Sequence, residues 1–273
     1  MGSWMSHPAV QAAVLPFVVA GAWSLASVRR WAPWAGLGAV LGFAVTVWQV
    51  ADFSLTPFTS TRKLIWSVLA GAAVGLACDL LCPPRRLIHN LWWVLAGGAA
   101  LWMVWPVVQY RGGWPGVVVG GGALLYAALQ VALGDFLRPQ PARAEAAAWV
   151  LPLGAGAVCL LGASALLGQL GLALGFAGLA LWLVGRRWPL RAPAAWILPG
   201  ILGGALVAYA GTVYAQVPVP ALLLLACALP VLWIPRPAGW PESREPVFRV
   251  VLAALPVALA VAWTALTQGP PPL

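Results

Sequence analysis

Short gaps divide this sequence into apolar stretches, most of them of about the same length, and nearly all of the charges lie in or beside those gaps. A helix of about 20 residues, rising 1.5 Å per residue, crosses the roughly 30 Å hydrocarbon layer of a bilayer. Because that layer holds no water, each crossing segment must satisfy its own backbone as a helix. The predicted spans are residues 8–27, 31–51, 63–82, 90–109, 114–134, 145–167, 169–185, 194–215, 218–234 and 247–267.

Two apolar runs are too long to be single spans. As one helix, the run 146–185 would be roughly 60 Å long, about twice the bilayer thickness. We predict that it folds back at Gly168-Gln169-Leu170-Gly171. The run 194–235 contains Gln216-Val217-Pro218-Val219-Pro220, and proline cannot continue a helix interior. The predicted fold class is therefore an all-α polytopic integral membrane protein with about ten transmembrane helices.

The cations support this count because they alternate between the gaps. Only Arg62, Lys63 and Arg111 fall outside every second gap. The others are Arg29, Arg30, Arg85, Arg86, Arg138, Arg143, Arg186, Arg187, Arg191, Arg236, Arg244 and Arg249. The positive-inside rule places these on the cytoplasmic side, with both termini on the external, periplasmic side. Richness in alanine and arginine with a single lysine suggests a bacterial source, so the predicted location is the bacterial cytoplasmic (inner) membrane.

The same charges predict the partners. Hydrophobic residues make up 62% of the chain and charged residues 8%, far from the composition of soluble proteins. We expect the bilayer itself as the environment and anionic lipids as counter-ions of the cytoplasmic arginines. Nucleic acid is not an expected partner, since the sequence has no basic face or nucleic-acid-binding motif.

Short sequence matches suggest that the chain consists of two halves, residues 1–137 and 138–273. Val14-Leu15-Pro16 recurs as Val150-Leu151-Pro152, and Leu41-Gly42-Phe43-Ala44 recurs as Leu174-Gly175-Phe176-Ala177. Five spans per half would make the repeat inverted, as in many secondary transporters. Chance is the alternative, because short matches are frequent in a chain so rich in Leu, Gly and Ala.

Asp79 is the only carboxylate inside a predicted span, about one turn from its cytoplasmic end. Ionisable residues within spans mark functional sites, so Asp79 is a possible gate or coupling residue. The alternative is a carboxylate that simply extends to an arginine, and Arg85 and Arg86 lie near it in the sequence. No carboxylate lies at the middle of a span, which disfavours a proton pump built on such a group.

The external segment from residue 52 to 63 is the most polar of the gaps. Thr59 or Ser60 can cap the third helix, which would leave backbone N–H groups beside Arg62 and Lys63 free to bind an anion. We predict an external vestibule for a carboxylate, phosphate or lipid headgroup, formed by Asp52, Thr59, Ser60, Arg62, Lys63 and Arg111. The alternative is a capped helix start with a surface ion pair, in which Asp52 neutralises a cation.

Other chemistry finds little support in the sequence. Cys78, Asp79, Cys82 and His89 lack a second ligand pair with the spacing of a zinc site, so we expect no metal and no cofactor. Hydrolase, metalloprotease and P-loop motifs are missing, so we expect no enzyme and no catalytic residue. The predicted function is a small secondary transporter or permease for a small or anionic solute. The alternatives are a non-catalytic integral subunit or assembly factor of a larger membrane complex and, less favoured, a lipid-handling protein.

Overall fold

The computed structural model describes residues 7–28, 32–51, 53, 57–188 and 193–268, and all regular structure in these ranges is helical. A π-helical turn, Val10–Val14, leads into the first α-helix. The α-helices are α1 (Leu15–Ser27), α2 (Ala32–Val50), α3 (Ser60–Leu81), α4 (Arg85–Arg111), α5 (Gly113–Leu137), α6 (Pro141–Leu161), α7 (Ala165–Arg187), α8 (Ala194–Tyr214), α9 (Val219–Ala226) and α10 (Glu245–Gln268). Two 3-10 turns, Pro230–Trp233 and Glu242–Arg244, lie between α9 and α10.

The lengths and composition of these helices confirm a helical multi-pass membrane protein. In the described part of the chain, eight helical segments are long and apolar enough to cross a bilayer. Two further apolar segments, Trp34–Val50 and Val219–Trp233, are shorter. Ten crossings, the inverted repeat and the external termini therefore remain predictions.

Contacts between helix ends divide the bundle into two faces. One cavity joins the end of α3 to the starts of α4 and α6 through Cys82, Ile88 and Pro141. A second cavity on the same face joins α6, α7 and the α9–α10 connection. We call this the arginine face, because every arginine in the described ranges except Arg62 and Arg111 lies there, near a helix end or in a connection between helices. Arg29, Arg30 and Arg191 lie outside those ranges.

The opposite face holds the other helix ends. Ser60 at the start of α3 bonds to Tyr214 at the end of α8. The Gln268 side chain at the end of α10 donates to the carbonyl of Gln216 in the α8–α9 connection, over 2.6 Å.

Helix α8 is the centre of the bundle, and 94% of its apolar 18-residue stretch is buried. It packs against α2, α3, α5, α6 and α7. Small residues make these contacts close: a Cβ atom at Gly75 of α3 would collide with the carbonyl of Ala194, and one at Gly200 with the carbonyl of Ala148. Helix contacts of this kind, in which glycine lets backbones touch, are common inside membranes.

One of the two predicted breaks is wrong. The chain turns between α6 and α7 at residues 162–164, where Ala163 has a φ of 66° and the Ser164 hydroxyl accepts from the Leu167 N–H, 3.4 Å away. Gly168 and Gly171 lie instead within α7, where a Cβ at Gly171 would be 2.6 Å from the Cα of Gly156. These glycines serve helix packing, and the small residues with a serine cap form the turn. The second break is confirmed, since α8 ends at Tyr214 and α9 begins at Val219.

The predicted span 218–234 is not one continuous helix. Helix α9 ends at Ala226, and the 3-10 turn begins at Pro230. Pro230 has no N–H to donate to the carbonyl four residues earlier, which is that of Ala226. The Gln130 side chain of α5 takes this role, with its Nε2 donating to the Ala226 carbonyl over 3.2 Å.

Candidate functional site

Helices α3 and α8 lie side by side and antiparallel, and polar groups meet at both ends of the pair. Near its centre the pair is apolar, since a Cβ at Gly71 would meet Leu202, and one at Gly203 would meet Val68. At the arginine face, Asp79 of α3 reaches the start of α8. At the opposite face, Ser60 of α3 reaches Tyr214 of α8.

Asp79 caps α8 from a neighbouring helix. Its Oδ1 accepts from the Ala194 N–H (3.0 Å) and its Oδ2 from the Ala195 N–H (2.9 Å). The local cap position of α8 holds Pro193, whose side chain makes no hydrogen bond to the helix start. Asp79 therefore supplies in trans the acceptors and the negative charge that a helix N-terminus requires.

Arg138 completes this end of the site. Its Nη2 lies 3.3 Å from Asp79 Oδ1, and its guanidinium lies over the ring of Trp92, 5.6 Å from the centroid. The arginine that pairs with Asp79 is Arg138 after α5, and not Arg85 or Arg86, which lie closer in sequence. In sequence these two partners are 59 residues apart, so only the packing of α3 and α5 against α8 brings them together.

A second pair of polar side chains lies beside this ion pair. His89 Nδ1 of α4 is 2.9 Å from Asp135 Oδ2 of α5, and the Asp135 side chain is only 4% exposed. Next to these pairs is a cavity of about 640 Å³ lined by Cys78, Asp79 and Arg138. We call it the arginine-face cavity. In the described residues no three His, Cys, Asp or Glu side chains are grouped as metal ligands would be.

The opposite end of the pair is neutral. Ser60 Oγ donates to Tyr214 Oη over 2.9 Å, and Tyr214 Oη donates to the Met103 carbonyl over 3.1 Å. This chain of hydroxyl groups links α3, α8 and α4. It borders a cavity of about 240 Å³, also lined by Ser164 at the start of α7, which we call the opposite-face cavity.

The structure brings together only part of the predicted vestibule. Thr59 caps α3, as predicted, and accepts from the Arg62 N–H over 3.3 Å. The Arg62 guanidinium donates to the Pro57 carbonyl, 2.8 Å away. Arg111 is exposed at the far end of α4, and no bond joins it to the other described members. Asp52 lies outside the described residues.

Lys63 points into the bundle, where it is 8% exposed. Its Nζ donates to the Trp102 carbonyl of α4 over 3.1 Å. That carbonyl has no partner in its own helix, because the residue four positions later is Pro106, which has no N–H. Lys63 therefore satisfies a carbonyl freed by Pro106, just as Gln130 satisfies one freed by Pro230.

Sequence reasoning missed Arg138 as a site residue and Arg249 as a buried one. In the sequence, Arg138 is identifiable only as a cation of the gap after the fifth span. Arg249 is 1% exposed and donates to the carbonyls of Leu232 (3.1 Å) and Ile234 (2.6 Å), which holds the segment after α9 against α10. A signal for Arg249 was present in the sequence, because Glu245 precedes it by four residues, the spacing of an ion pair on a helix.

No protein-family model matches this sequence, and no curated protein matches it either.

Proposed function

We propose that the protein is a secondary transporter for a small anionic solute, with a pathway along the α3–α8 pair. The observation that carries this proposal is a polar cavity at each end of one antiparallel helix pair that crosses the bundle. Alternating access requires two such openings, one to each side of the membrane, and a closed segment between them. The Gly71–Leu202 and Val68–Gly203 contacts would form the closed segment.

Each cavity is bordered by a bond that ties α3 to α8. The Asp79 carboxylate makes this link at the arginine face, and the Ser60–Tyr214 bond makes it at the opposite face. If α3 and α8 separate at one face while they stay joined at the other, the cavities open in turn. Asp79 then has the role of a gate.

The charges favour an anion as the solute. The positive groups beside the arginine-face cavity are Arg138 and the first N–H groups of α8. Asp79 accepts hydrogen bonds from both. A carboxylate or phosphate on the solute could compete with Asp79 for these donors. Binding of the solute would thereby open the link at this face.

The predicted topology is compatible with this mechanism. With ten crossings in the inner membrane, the arginine face is cytoplasmic and both termini are periplasmic. In the predicted inverted repeat, α3 corresponds to α8 and α2 to α7, and each of these pairs packs together. A pathway between equivalent helices is where inverted-repeat transporters place their sites.

The experiment measures the accessibility of one cysteine in each cavity. Native Cys78, 3% exposed, reports on the arginine-face cavity, and Ser164→Cys reports on the opposite-face cavity, each as the only cysteine of the chain. A small charged thiol reagent is applied to membrane vesicles of each orientation. We expect Asp79→Ala to raise labelling of Cys78 and lower that of Ser164→Cys, and Tyr214→Phe to do the reverse.

Tyr209→Phe is the matched control. Tyr209 also donates its hydroxyl from α8 to a carbonyl, that of Val119, over 2.9 Å, but this bond leads to α5. Its loss should leave both labelling rates unchanged. If Asp79→Ala and Tyr214→Phe change the two labelling rates in the same direction, or not at all, the two cavities do not alternate and the transport proposal is wrong.

A role as a non-catalytic subunit of a larger membrane complex is the second candidate. The short connections favour it: one residue separates α4 from α5, and three separate α5 from α6. Such a protein would offer partners mainly the sides of its helices. Stable co-purification with other membrane proteins in mild detergent, together with absence of reciprocal labelling, would support this role.

A further inference from the structure

A groove lies between α3 and α4 at the periphery of the bundle. It has a volume of about 720 Å³, and its lining includes Phe58, Trp66, Ala70, Val94, Gly98 and Trp102. Val94 is 74% exposed, Phe58 48% and Trp102 41%, so the groove opens sideways, toward the space that lipid occupies. Apart from Ser67, its described lining residues carry no side-chain hydrogen-bonding group other than indole N–H.

A buried cation lies at one end of this groove. Lys63 Nζ is bonded to the Trp102 carbonyl and lies 5.7 Å from the centroid of the Trp102 ring, which lines the groove. An ammonium group has three N–H donors, and in the described part of the chain this bond is the only one that Lys63 Nζ makes. No described carboxylate lies within ion-pair distance of it.

This arrangement is amphipathic in the same way as a phospholipid. The apolar groove matches an acyl chain, and the Lys63 ammonium, one turn into α3 from the opposite face, lies where a headgroup phosphate would be. A buried cation needs a partner of opposite charge, since an unpaired buried charge is strongly disfavoured. Zwitterionic lipids offer no net charge, which makes an anionic headgroup the better complement.

We infer that the α3–α4 groove binds an anionic phospholipid, with an acyl chain between Trp66 and Gly98 and the phosphate at Lys63. This site is separate from the two cavities of the α3–α8 pair and does not depend on transport. The bound lipid would hold α4 against α3 where Pro106 leaves a carbonyl of α4 without its helical donor.

The experiment is native mass spectrometry of the full chain, delipidated in mild detergent and then mixed with equal amounts of phosphatidylglycerol and phosphatidylcholine. For the unmodified protein we expect one phosphatidylglycerol to be retained in preference to phosphatidylcholine. Lys63→Met should lower phosphatidylglycerol affinity about five- to tenfold, the effect of roughly one buried cation near a headgroup, and Lys63→Arg should restore it.

Gly98→Leu tests the groove without touching Lys63. A Cβ at Gly98 meets no atom within 4 Å, so leucine fills the groove without displacing a neighbour. We expect it to lower retention of the lipid as strongly as Lys63→Met. Gly121→Leu is the matched control, because Gly121 of α5 also has open space around its Cβ and does not line the groove.

The outcomes separate the alternatives. Retention of phosphatidylglycerol by Gly98→Leu at the unmodified level would show that no acyl chain occupies the groove and would overturn the inference. Equal retention of both lipids would overturn the role of Lys63. Asp52→Asn tests whether Asp52, and not a lipid phosphate, is the partner of Lys63. We expect the phosphatidylglycerol affinity to stay unchanged. A severalfold rise would mean that Asp52 holds Lys63 in the unmodified protein, and would overturn the inference that a phosphate does.

Discussion

Replacing Asp79 by alanine removes both acceptors from the start of α8 and the ion-pair partner of Arg138 in one step. Loss of a helix cap costs about 1–2 kcal/mol. The ion pair adds about 1 kcal/mol, because the Arg138 side chain is 25% exposed and partly screened. The larger penalty for a buried orphan charge does not apply, since Arg138 keeps its contact with Trp92 and borders a cavity. We therefore expect Asp79→Ala to lower the free energy of unfolding by about 2–3 kcal/mol.

Two further variants separate the contribution of the helix cap to this free energy from that of the ion pair. Arg138→Gln removes the ion pair and the guanidinium contact with Trp92 but leaves the cap of α8, and it should lower the free energy of unfolding by about 1–2 kcal/mol. Asp79→Asn keeps one acceptor oxygen but turns an amide toward the second N–H, so its cost should lie between the other two.

The assay is reversible unfolding in mixed micelles of mild detergent and dodecyl sulfate, followed by far-ultraviolet circular dichroism. Glu242→Ala is the control, because Glu242 is an exposed carboxylate on the same face. Should Asp79→Ala unfold at the same dodecyl sulfate fraction as Glu242→Ala, Asp79 does not stabilise α8, and the capping argument is wrong.

Three further predictions use the same unfolding assay. Arg249→Met should lower the free energy of unfolding by about 3 kcal/mol, because it leaves the buried Leu232 carbonyl and the partly buried Ile234 carbonyl without their donor and Glu245 without its nearer cation. A loss below about 1 kcal/mol would contradict that role. Gly156→Ala should lower the free energy of unfolding by about 1–3 kcal/mol, since its Cβ would lie 2.5 Å from the backbone nitrogen of Leu172. Gly98→Ala is the control and should leave this free energy unchanged, because its Cβ meets no atom within 4 Å. Equal effects of the two changes would mean that the α6–α7 contact is not tight. Gln130→Leu should cost about 1 kcal/mol through the unpaired carbonyl of residue 226, and a stabilised variant would refute this.

The approximate positions of most helices along the chain could be predicted from the sequence, because each span must be long and apolar. The helix start at Thr59 and the break at Pro218 were also predictable, since a cap and a proline act within a few residues. The turn after α6 was not predictable, because glycines such as Gly168 and Gly171 occur in sequences both where a turn forms and where two helices touch. Only their packing against Gly156 decides between these roles.

The candidate site was predictable only in part, because helices that are apolar all round do not show which side faces a neighbour. Asp79 was identified from its position inside a span, but Ala194 and Ala195 lie 115 and 116 residues away. Lys63 was expected to face a vestibule. It turns inward instead because Pro106, on another helix, leaves a carbonyl without a donor.

The enclosed position of α8 has a consequence for how the protein is made. Helices α3, α5, α6 and α7, which surround it, are all synthesised earlier in the chain. When α8 leaves the ribosome, it enters a membrane that already holds these neighbours, and its final surroundings are protein, not lipid. Its insertion is therefore also the step that completes the core, and a substitution on α8 that slows packing would delay maturation of the seven helices before it.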